Sequence, residues 1–383
     1  MDHIDDFLTR GVANIIPGKT ELEKVLRSDR KLNVYLGIDP TATHIHLGHA
    51  VPLRKLQILA DLGHHIHFLI GDFTALIGDT SDKDTERPVL TSTQIEANFS
   101  SYKFQASKVL DFSRVKVVHN SDWLKKLTFE DIIKLTRHFS LNDFISRELI
   151  KKRLSEGRSV SLPEVLYPVM QGYDSYFLDT DIQFGGTDQT FNMQAGRTLQ
   201  KDLRNKESFV ISNVFLEGTD GRKMSKSWGN AVWLDDSANE IYGKIMSLKD
   251  ELIPQYFTLA TNIPLEKIPS EGHPMNLKKE LAFTIVSELH GKEAASGAQS
   301  NFEQTFQQNQ TPSDIPSVTV SAPEIITVLV ESGLASSKSD ARRLIEQGGV
   351  SFENQKIQTS SFNLPSSGTL QVGPRRFARI NIK

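Results

Sequence analysis

Two short runs near the start of the chain, residues 34–38 and 65–70, carry β-branched, aromatic and other apolar residues at strand-like density. Between them apolar positions recur at 53, 56, 59 and 60, the spacing of an amphipathic helix. Asp39-Pro40 stops the first run and Gly63 the helix, so residues 34–70 read as strand, helix, strand. Such a unit predicts a parallel sheet with ligands at the C-terminal edge of its strands. Pro52 suits the first helical residues, whose N–H groups have no partner anyway.

The same reading covers the rest of the chain. Residues 5–12 are helix-like, and Thr20-x-x-Glu23 reads as a capping box opening a helix to Arg27. Residues 91–158 are helical in pattern. A second box, Ser161-x-x-Glu164, opens a helix to about Leu178. A short strand ending at Phe184 leads into Gly185-Gly186, and Thr187 or Asp188 is placed to cap the helix that follows. Residues 235–306 are helical throughout, and 307–316 form a polar connector. The last 63 residues show short helices at 323–331 and 339–347, then strand-like pieces.

With 383 residues the chain has room for two or three domains. It lacks cysteine, which excludes disulfides and thiolate chemistry. The start is acidic, and no apolar run approaches the ~20 residues of a membrane helix, so no membrane partner and a cytoplasmic location are expected. Residues 321–383 carry eight Lys and Arg against five Asp and Glu on a chain of net charge −3, a basic end on an acidic body, which suggests a nucleic-acid contact.

Candidate chemistry collects at the start of the first helix. His46 and His49 flank Gly48 at a helix N-terminus, where free N–H groups and the helix dipole hold anions. A zinc site would need further ligands that no nearby cluster supplies. Residues 13–20 nearly match a phosphate-binding P-loop, but they follow the helix-like 5–12 and read as structural. Tyr167, Gln171 and Asp174 fall on one line of an otherwise apolar helix, and a buried carboxylate and amide need polar partners, for which a polar ligand is a natural candidate. Residues 218–222 are a flexible, glycine-bearing lead into Lys223-Met224-Ser225-Lys226-Ser227, a pattern suited to closing over a polyphosphate.

His46-Leu47-Gly48-His49 and Lys223-Met224-Ser225-Lys226-Ser227 resemble the two signatures of class I aminoacyl-tRNA synthetases. Tyr167-x-x-x-Gln171-x-x-Asp174 and Gly185-Gly186-Thr187-Asp188-Gln189 are similar to segments of the tyrosyl members of bacterial type. The resemblance implies an α/β fold: a Rossmann-like parallel-sheet catalytic domain (1–230, with a helical insertion at about 91–158), an α-helical anticodon-side domain (231–306), a linker (307–320) and a small α+β RNA-binding module (321–383). It implies L-tyrosine, ATP with Mg2+, and tRNA(Tyr) as partners, no tightly bound cofactor, no protein metal site, and a homodimer formed through the insertion.

By the same resemblance Tyr35 and Asp174 bind the phenolic hydroxyl, Tyr167, Gln171 and Asp79 the amino group, and Gln189 the amino acid. Thr41, His46, His49, Lys83, Arg87, Lys223 and Lys226 face the phosphates, with Lys226 also on ATP beside Gly37, Asp39, Gly48, Gly186 and Asp188. Arg342, Arg343, Arg375, Arg376 and Arg379 are candidate tRNA contacts. A small-molecule adenylyltransferase, a catalytically silent RNA-binding relative and a tryptophan enzyme are the competing readings.

Overall fold

Six strands form the main sheet: β1 (Val12–Ile16), β2 (Asn33–Ile38), β3 (His65–Ile70), β4 (Val115–His119), β5 (Ile182–Gly186) and β6 (Phe209–Asn213). Their order is β1-β6-β5-β2-β3-β4; β1 runs antiparallel and the other neighbours are parallel. The chain steps outward from β2 through β3 to β4, returns to β5, and steps outward again to β6. Strand order therefore reverses between β2 and β5, and the loops leaving those two strands diverge to open a crevice. All five residues of β6 and four of β5 are buried, as expected for a parallel sheet covered on both faces. This computed structural model describes residues 2–77, 90–225, 228–307, 315–353, 355–373 and 376–382.

Fourteen helices of the described chain precede the C-terminal module. They are α1 (His3–Phe7), α2 (Lys19–Leu26), α3 (Leu47–Asp61), α4 (Ser92–Ala106), α5 (Ser121–Leu124), α6 (Phe129–Thr136), α7 (Leu141–Ile145), α8 (Glu148–Ser155), α9 (Leu162–Phe177), α10 (Thr190–Arg204), α11 (Ala238–Met246), α12 (Ile253–Ala260), α13 (Pro274–His290) and α14 (Lys292–Phe302). Two buried arginines join the sheet domain to the helical segment. Arg54 of α3 donates to Glu288 (2.7 Å) and to the Ala260 carbonyl (3.0 Å), while Arg10 donates to the carbonyls of Thr258 (2.9 Å) and Ile263 (2.6 Å). Both meet carbonyls at the C-terminal end of α12, where the helix dipole favours cations.

Several expectations are corrected. Residues 91–158 are not helical throughout: Val115-Lys116-Val117-Val118-His119 is β4, an edge strand whose short alternating run is outweighed in sequence by its helical flanks. The P-loop-like stretch does follow a strand, since α1 ends at Phe7 and residues 12–16 form β1; what separates it from a phosphate loop is that β1 is an antiparallel edge strand. Gly18, not Thr20, caps α2, and no side-chain cap forms there. Ser161 caps α9 without a side-chain bond, because Glu164 turns instead to Arg153 at 2.5 Å in a pair whose side chains are 3–4% exposed. Helix α3 begins at Leu47, so Pro52 lies inside it, beyond the first turn. β5 extends past Phe184 to Gly186, and a 3-10 turn, Thr187–Gln189, intervenes before α10, so neither Thr187 nor Asp188 caps that helix.

The chain separates into two compact units, Met1–Ala295 and Ser296–Lys383. The second contains α15 (Ile325–Glu331), α16 (Lys338–Glu346) and a sheet of β7 (Ser317–Val320), β8 (Val350–Phe352), β9 (Gln355–Lys356), β10 (Gly368–Val372) and β11 (Arg376–Ile382). Its core includes Val320, Leu329, Ile345, Leu370 and Ile380. β7 pairs with β11, so residues 317–320, expected in the linker, belong to the module's sheet. Among the described residues no helix is long and apolar enough to cross a membrane.

Removing one partner of the buried Arg153–Glu164 pair strands the other charge. Glu164→Ala is expected to cost about 3–5 kcal/mol in denaturant unfolding, whereas replacing both residues with apolar ones of similar volume costs far less.

Candidate active site

The crevice is lined first by the loop after β2. Asp39 follows that strand directly, and the exposed Thr41 donates its backbone N–H to the Asp39 carbonyl (2.7 Å). His46 is the residue at which α3 starts, and its N–H donates to His49 Nδ1 at 3.2 Å. That bond leaves the His49 proton on Nε2, a free donor at the helix N-terminus. The two rings lie 3.9 Å apart between centroids, and the His46 ring sits against Gly48, where a Cβ would approach it to 3.0 Å. Burial pushes His46 down to about 2, aided by His49 and Lys223, and burial pushes His49 down to about 4. Both are therefore neutral near pH 7, so each ring can offer an N–H dipole but no charge.

The chain after the second lysine-rich signature closes on this same loop. Leu47 donates to the Val232 carbonyl and Leu234 to the Ile45 carbonyl, each at 2.9 Å. Trp233 packs 5.6 Å from the His46 ring, and His44 Nδ1 lies 2.6 Å from Asp235. The lead into the signature is a hydrogen-bonded turn and not the flexible one expected. Asn230, 3% exposed, organises it: its amide donates to Asp220 (2.7 Å) and to the Lys223 carbonyl (3.2 Å), and its Oδ1 accepts from Ser225 N–H (2.8 Å). Sequence reasoning missed Asn230; its one signal was an amide just beyond the signature. Lys223 is exposed, with Nζ 5.7 Å from the Phe215 ring.

At the other end of the crevice lie Tyr35 of β2 and Asp174 of α9, each 2% exposed. Tyr35 donates to Gln183 Oε1 (3.3 Å) and also meets the side chain of Gln171. The polar partners that a buried Asp174 was expected to need are in part supplied by the protein itself: Trp123 Nε1 donates at 2.7 Å and Asn120 Nδ2 at 3.2 Å. Neither donor was singled out from sequence, because α5 lay in the segment read as featureless helix. Burial raises the Asp174 carboxyl to about 8 against the opposing pull of those two donors, and burial together with Asp174 raises the Tyr35 phenol. Tyr167 donates its hydroxyl to Asp39 at 2.8 Å, linking the two halves of the site.

β5 delivers the third wall. A Cβ on Gly186 would crowd Asp188 and the Phe215 ring, so the strand end and that ring pack at glycine distance. Asp188 and Gln189 follow, half-buried, and Gln189 accepts from Asn192 (3.0 Å). Gly37 is exposed on β2. Asp79, Lys83, Arg87, Lys226 and Arg375 lie outside the described residues. Arg342, Arg343, Arg376 and Arg379 are exposed on the second unit, Arg343 paired with Asp340 and Arg376 donating to the Leu334 carbonyl. Among the described residues no cluster of three or more His, Asp or Glu could hold a metal.

A reversal of strand order beneath a helix N-terminus, closed by a lysine-bearing turn, defines a nucleotide-binding α/β enzyme. Residues 27–307 match the family "tRNA synthetases class I (W and Y)", and 307–372 match the "Tyrosine–tRNA ligase SYY-like C-terminal domain". The tyrosine–tRNA ligase of Thermotoga maritima is 41% identical over 98% of this chain and 96% of its own length; that of Francisella tularensis is 41% identical over 99% and 98%. The chain belongs to the class I tRNA synthetases for tryptophan and tyrosine, on the tyrosine branch. The fold agrees with a C-terminally truncated mitochondrial tyrosyl-tRNA synthetase of Aspergillus nidulans (TM-score 0.66, 22% identity, 79% of this chain and 94% of that one). It also agrees with the Archaeoglobus fulgidus tyrosyl-tRNA synthetase complexed with L-tyrosine (TM-score 0.61, 22% identity, 78% and 100%).

The raised Asp174 carboxyl has a consequence for stability. Its folded value, about 8, lies above the unfolded 3.8, so the folded state holds the proton more tightly. Its contribution is full below the unfolded value and is lost as pH rises through the folded one, at up to about 1.4 kcal/mol per pH unit. In ligand-free protein, the stability of Asp174→Asn relative to wild type should therefore climb between about pH 4 and 8, measured by urea unfolding at each pH.

Proposed function

We infer that the protein is a tyrosine–tRNA ligase. The tyrosine carboxylate attacks the α-phosphate of ATP to form tyrosyl-adenylate and release pyrophosphate, and a terminal ribose hydroxyl of tRNA(Tyr) then takes the acyl group. The observation that carries the reading is the Asp174 carboxyl beside the Tyr35 hydroxyl, buried at the inner end of the crevice between β2 and β5. A carboxyl there distinguishes a hydroxylated ring from a bare one, and it would face an indole poorly.

No side chain need act as nucleophile; the protein positions substrates and stabilises charge that develops on the phosphates. The His49 Nε2–H at the start of α3, with His46 and Thr41 nearby, forms the fixed donor set, while Lys223, Lys226, Lys83 and Arg87 supply positive charge. Mg2+ accompanies ATP as its counterion. Gly37, Asp39, Gly48, Gly186 and Asp188 border the nucleotide, and Tyr167, Gln171, Gln189 and Asp79 the amino acid. Arg342, Arg343, Arg375, Arg376 and Arg379 contact tRNA. A homodimer is supported by Phe129, Ile133, Leu141, Leu154 and Leu162, large apolar side chains 47–78% exposed between α6 and α9. The cytoplasm is the proposed location, where ATP and tRNA are at hand.

Pyrophosphate exchange into ATP, measured with each of the twenty amino acids, should be fastest with tyrosine; Asp174→Ala should erode the preference over phenylalanine, which for enzymes of this type is ~10⁵. No tyrosine preference would overturn the reading. Removing residues 308–383 should leave exchange nearly intact while strongly impairing tRNA charging, and should flatten the salt dependence of tRNA binding, because phosphate contacts by the arginines are lost.

A further inference from the structure

A chain of hydrogen bonds runs between the two ends of the crevice. Asn120, fully buried, accepts the Phe73 N–H on Oδ1 at 3.0 Å. A backbone N–H only donates, so the amide is held in one orientation and its NH2 must point the other way. One contact of that NH2 is Asp174 Oδ2 (3.2 Å), and the other is Thr74 Oγ1 (3.0 Å). Thr74, 2% exposed and already accepting from Asn120, gives its own proton to Asp39 Oδ1 at 2.8 Å. Tyr167 donates its hydroxyl to the other Asp39 oxygen at 2.8 Å.

The spacing depends on a glycine. Gly71 lies under the middle of this chain, and a Cβ there would overlap both Asp39 Oδ1 and Thr74 Oγ1. β3 ends at Ile70, so the residue that turns the backbone out of the sheet also makes room for the Thr74–Asp39 bond. Among the described residues, the side-chain hydrogen bonds of Thr74 and Asn120 go to Asp39, Asp174 and Phe73 and to each other, and the roles assigned above give Thr74 no task.

We propose that Asn120 and Thr74 are positioning residues that relay occupancy of the phenol end of the site, at Asp174, to Asp39 at the nucleotide end, so that the substrate hydroxyl is read in the rate of activation as well as in binding. The relay rests on the tyrosine-ligase reading and adds to it a route from specificity to rate. Burial raises the Asp174 carboxyl to about 8, so it is protonated at neutral pH. A substrate hydroxyl donating to it favours the carboxylate, whose proton leaves to bulk solvent with the water the substrate displaces, and the new charge pulls on the one amide that also holds Thr74. With water excluded, such linked bonds polarise one another. The shift reaches Asp39, which shares its carboxylate between Thr74 and Tyr167 and borders the loop leading to His46. Phenylalanine brings no hydroxyl and leaves the relay at rest.

Thr74→Val keeps the shape and removes the hydroxyl; Thr74→Ser keeps the hydroxyl; Gly71→Ala crowds both partners of the bond while leaving their own side chains unsubstituted. Full-length protein carrying each change is compared with wild type in pyrophosphate exchange, with kcat and KM measured separately for tyrosine and phenylalanine. The tyrosine-to-phenylalanine ratio of kcat should fall about tenfold in Thr74→Val and by at least as much in Gly71→Ala. Thr74→Ser should restore it, and KM for tyrosine should stay within about twofold throughout. An unchanged kcat ratio, an equal loss for both amino acids, an effect confined to KM, or failure of serine to rescue overturns the relay. Should Thr74→Val not fold, the serine and Gly71→Ala variants decide it by the same ratio. A wild type without tyrosine preference overturns the underlying reading instead, an outcome distinct from a variant that keeps the wild-type ratio.

Discussion

Two backbone hydrogen bonds, from Leu47 to Val232 and from Leu234 to Ile45, hold the two signature stretches in one place. They are short antiparallel contacts between a loop leaving β2 and a loop leaving β6, and without them the lysine-bearing turn would have no fixed relation to the helix N-terminus. Everything placed on the crevice's phosphate side follows from that closure. Trp233 packs on His46 because it lies between the two bonds. Asn230, just upstream, converts the rest of the loop into a turn by bonding both its arms. A catalytic arrangement built on a loop is thus given some of the rigidity of a sheet.

Burial decides the electrostatics on both sides. At the start of α3 it keeps His46 and His49 uncharged, so that the helix presents oriented N–H groups without ring charge. At the inner end of the crevice it holds Asp174 in the protonated form, although Trp123 and Asn120 both favour the carboxylate. Desolvation wins over two hydrogen bonds because the pocket wall is apolar: Leu69, Trp123 and Leu124 surround Tyr35, with Phe73 and Met170 packed against them. The same low polarity that raises the carboxyl makes an unsatisfied polar partner there expensive.

The strand, turn and helix around residues 34–62, the helix carrying Tyr167, Gln171 and Asp174, the helical segment after Asp235 and the basic C-terminal module were all legible in the sequence, because each depends on local periodicity and on residues adjacent in the chain. The capping boxes at Thr20 and Ser161 had correct spacing and still did not form: α2 starts at Lys19, which puts Thr20 inside the helix, and at Ser161 the Glu164 partner turns to the buried Arg153 instead. β4 escaped notice for a related reason: a five-residue edge strand carries too little pattern to stand out against long helical neighbours.

By itself the sequence determined which chemical groups this protein owns and the order in which they occur, two histidines at a helix start, two lysines in a glycine-led turn and a carboxylate on an apolar helix, and the resemblance of those stretches to a family's signatures indicated the reaction class. Only the tertiary structure decided which groups meet. That Asp174 is served by Trp123 and Asn120, that Asn120 is shared with Thr74, and that Gly71 leaves room for Asp39 depend on strands β2 and β3 ending side by side beneath α9. These contacts join residues dozens of positions apart, and hydrogen-bond geometry at that separation is set by sheet order and packing, neither of which leaves a local trace in the chain.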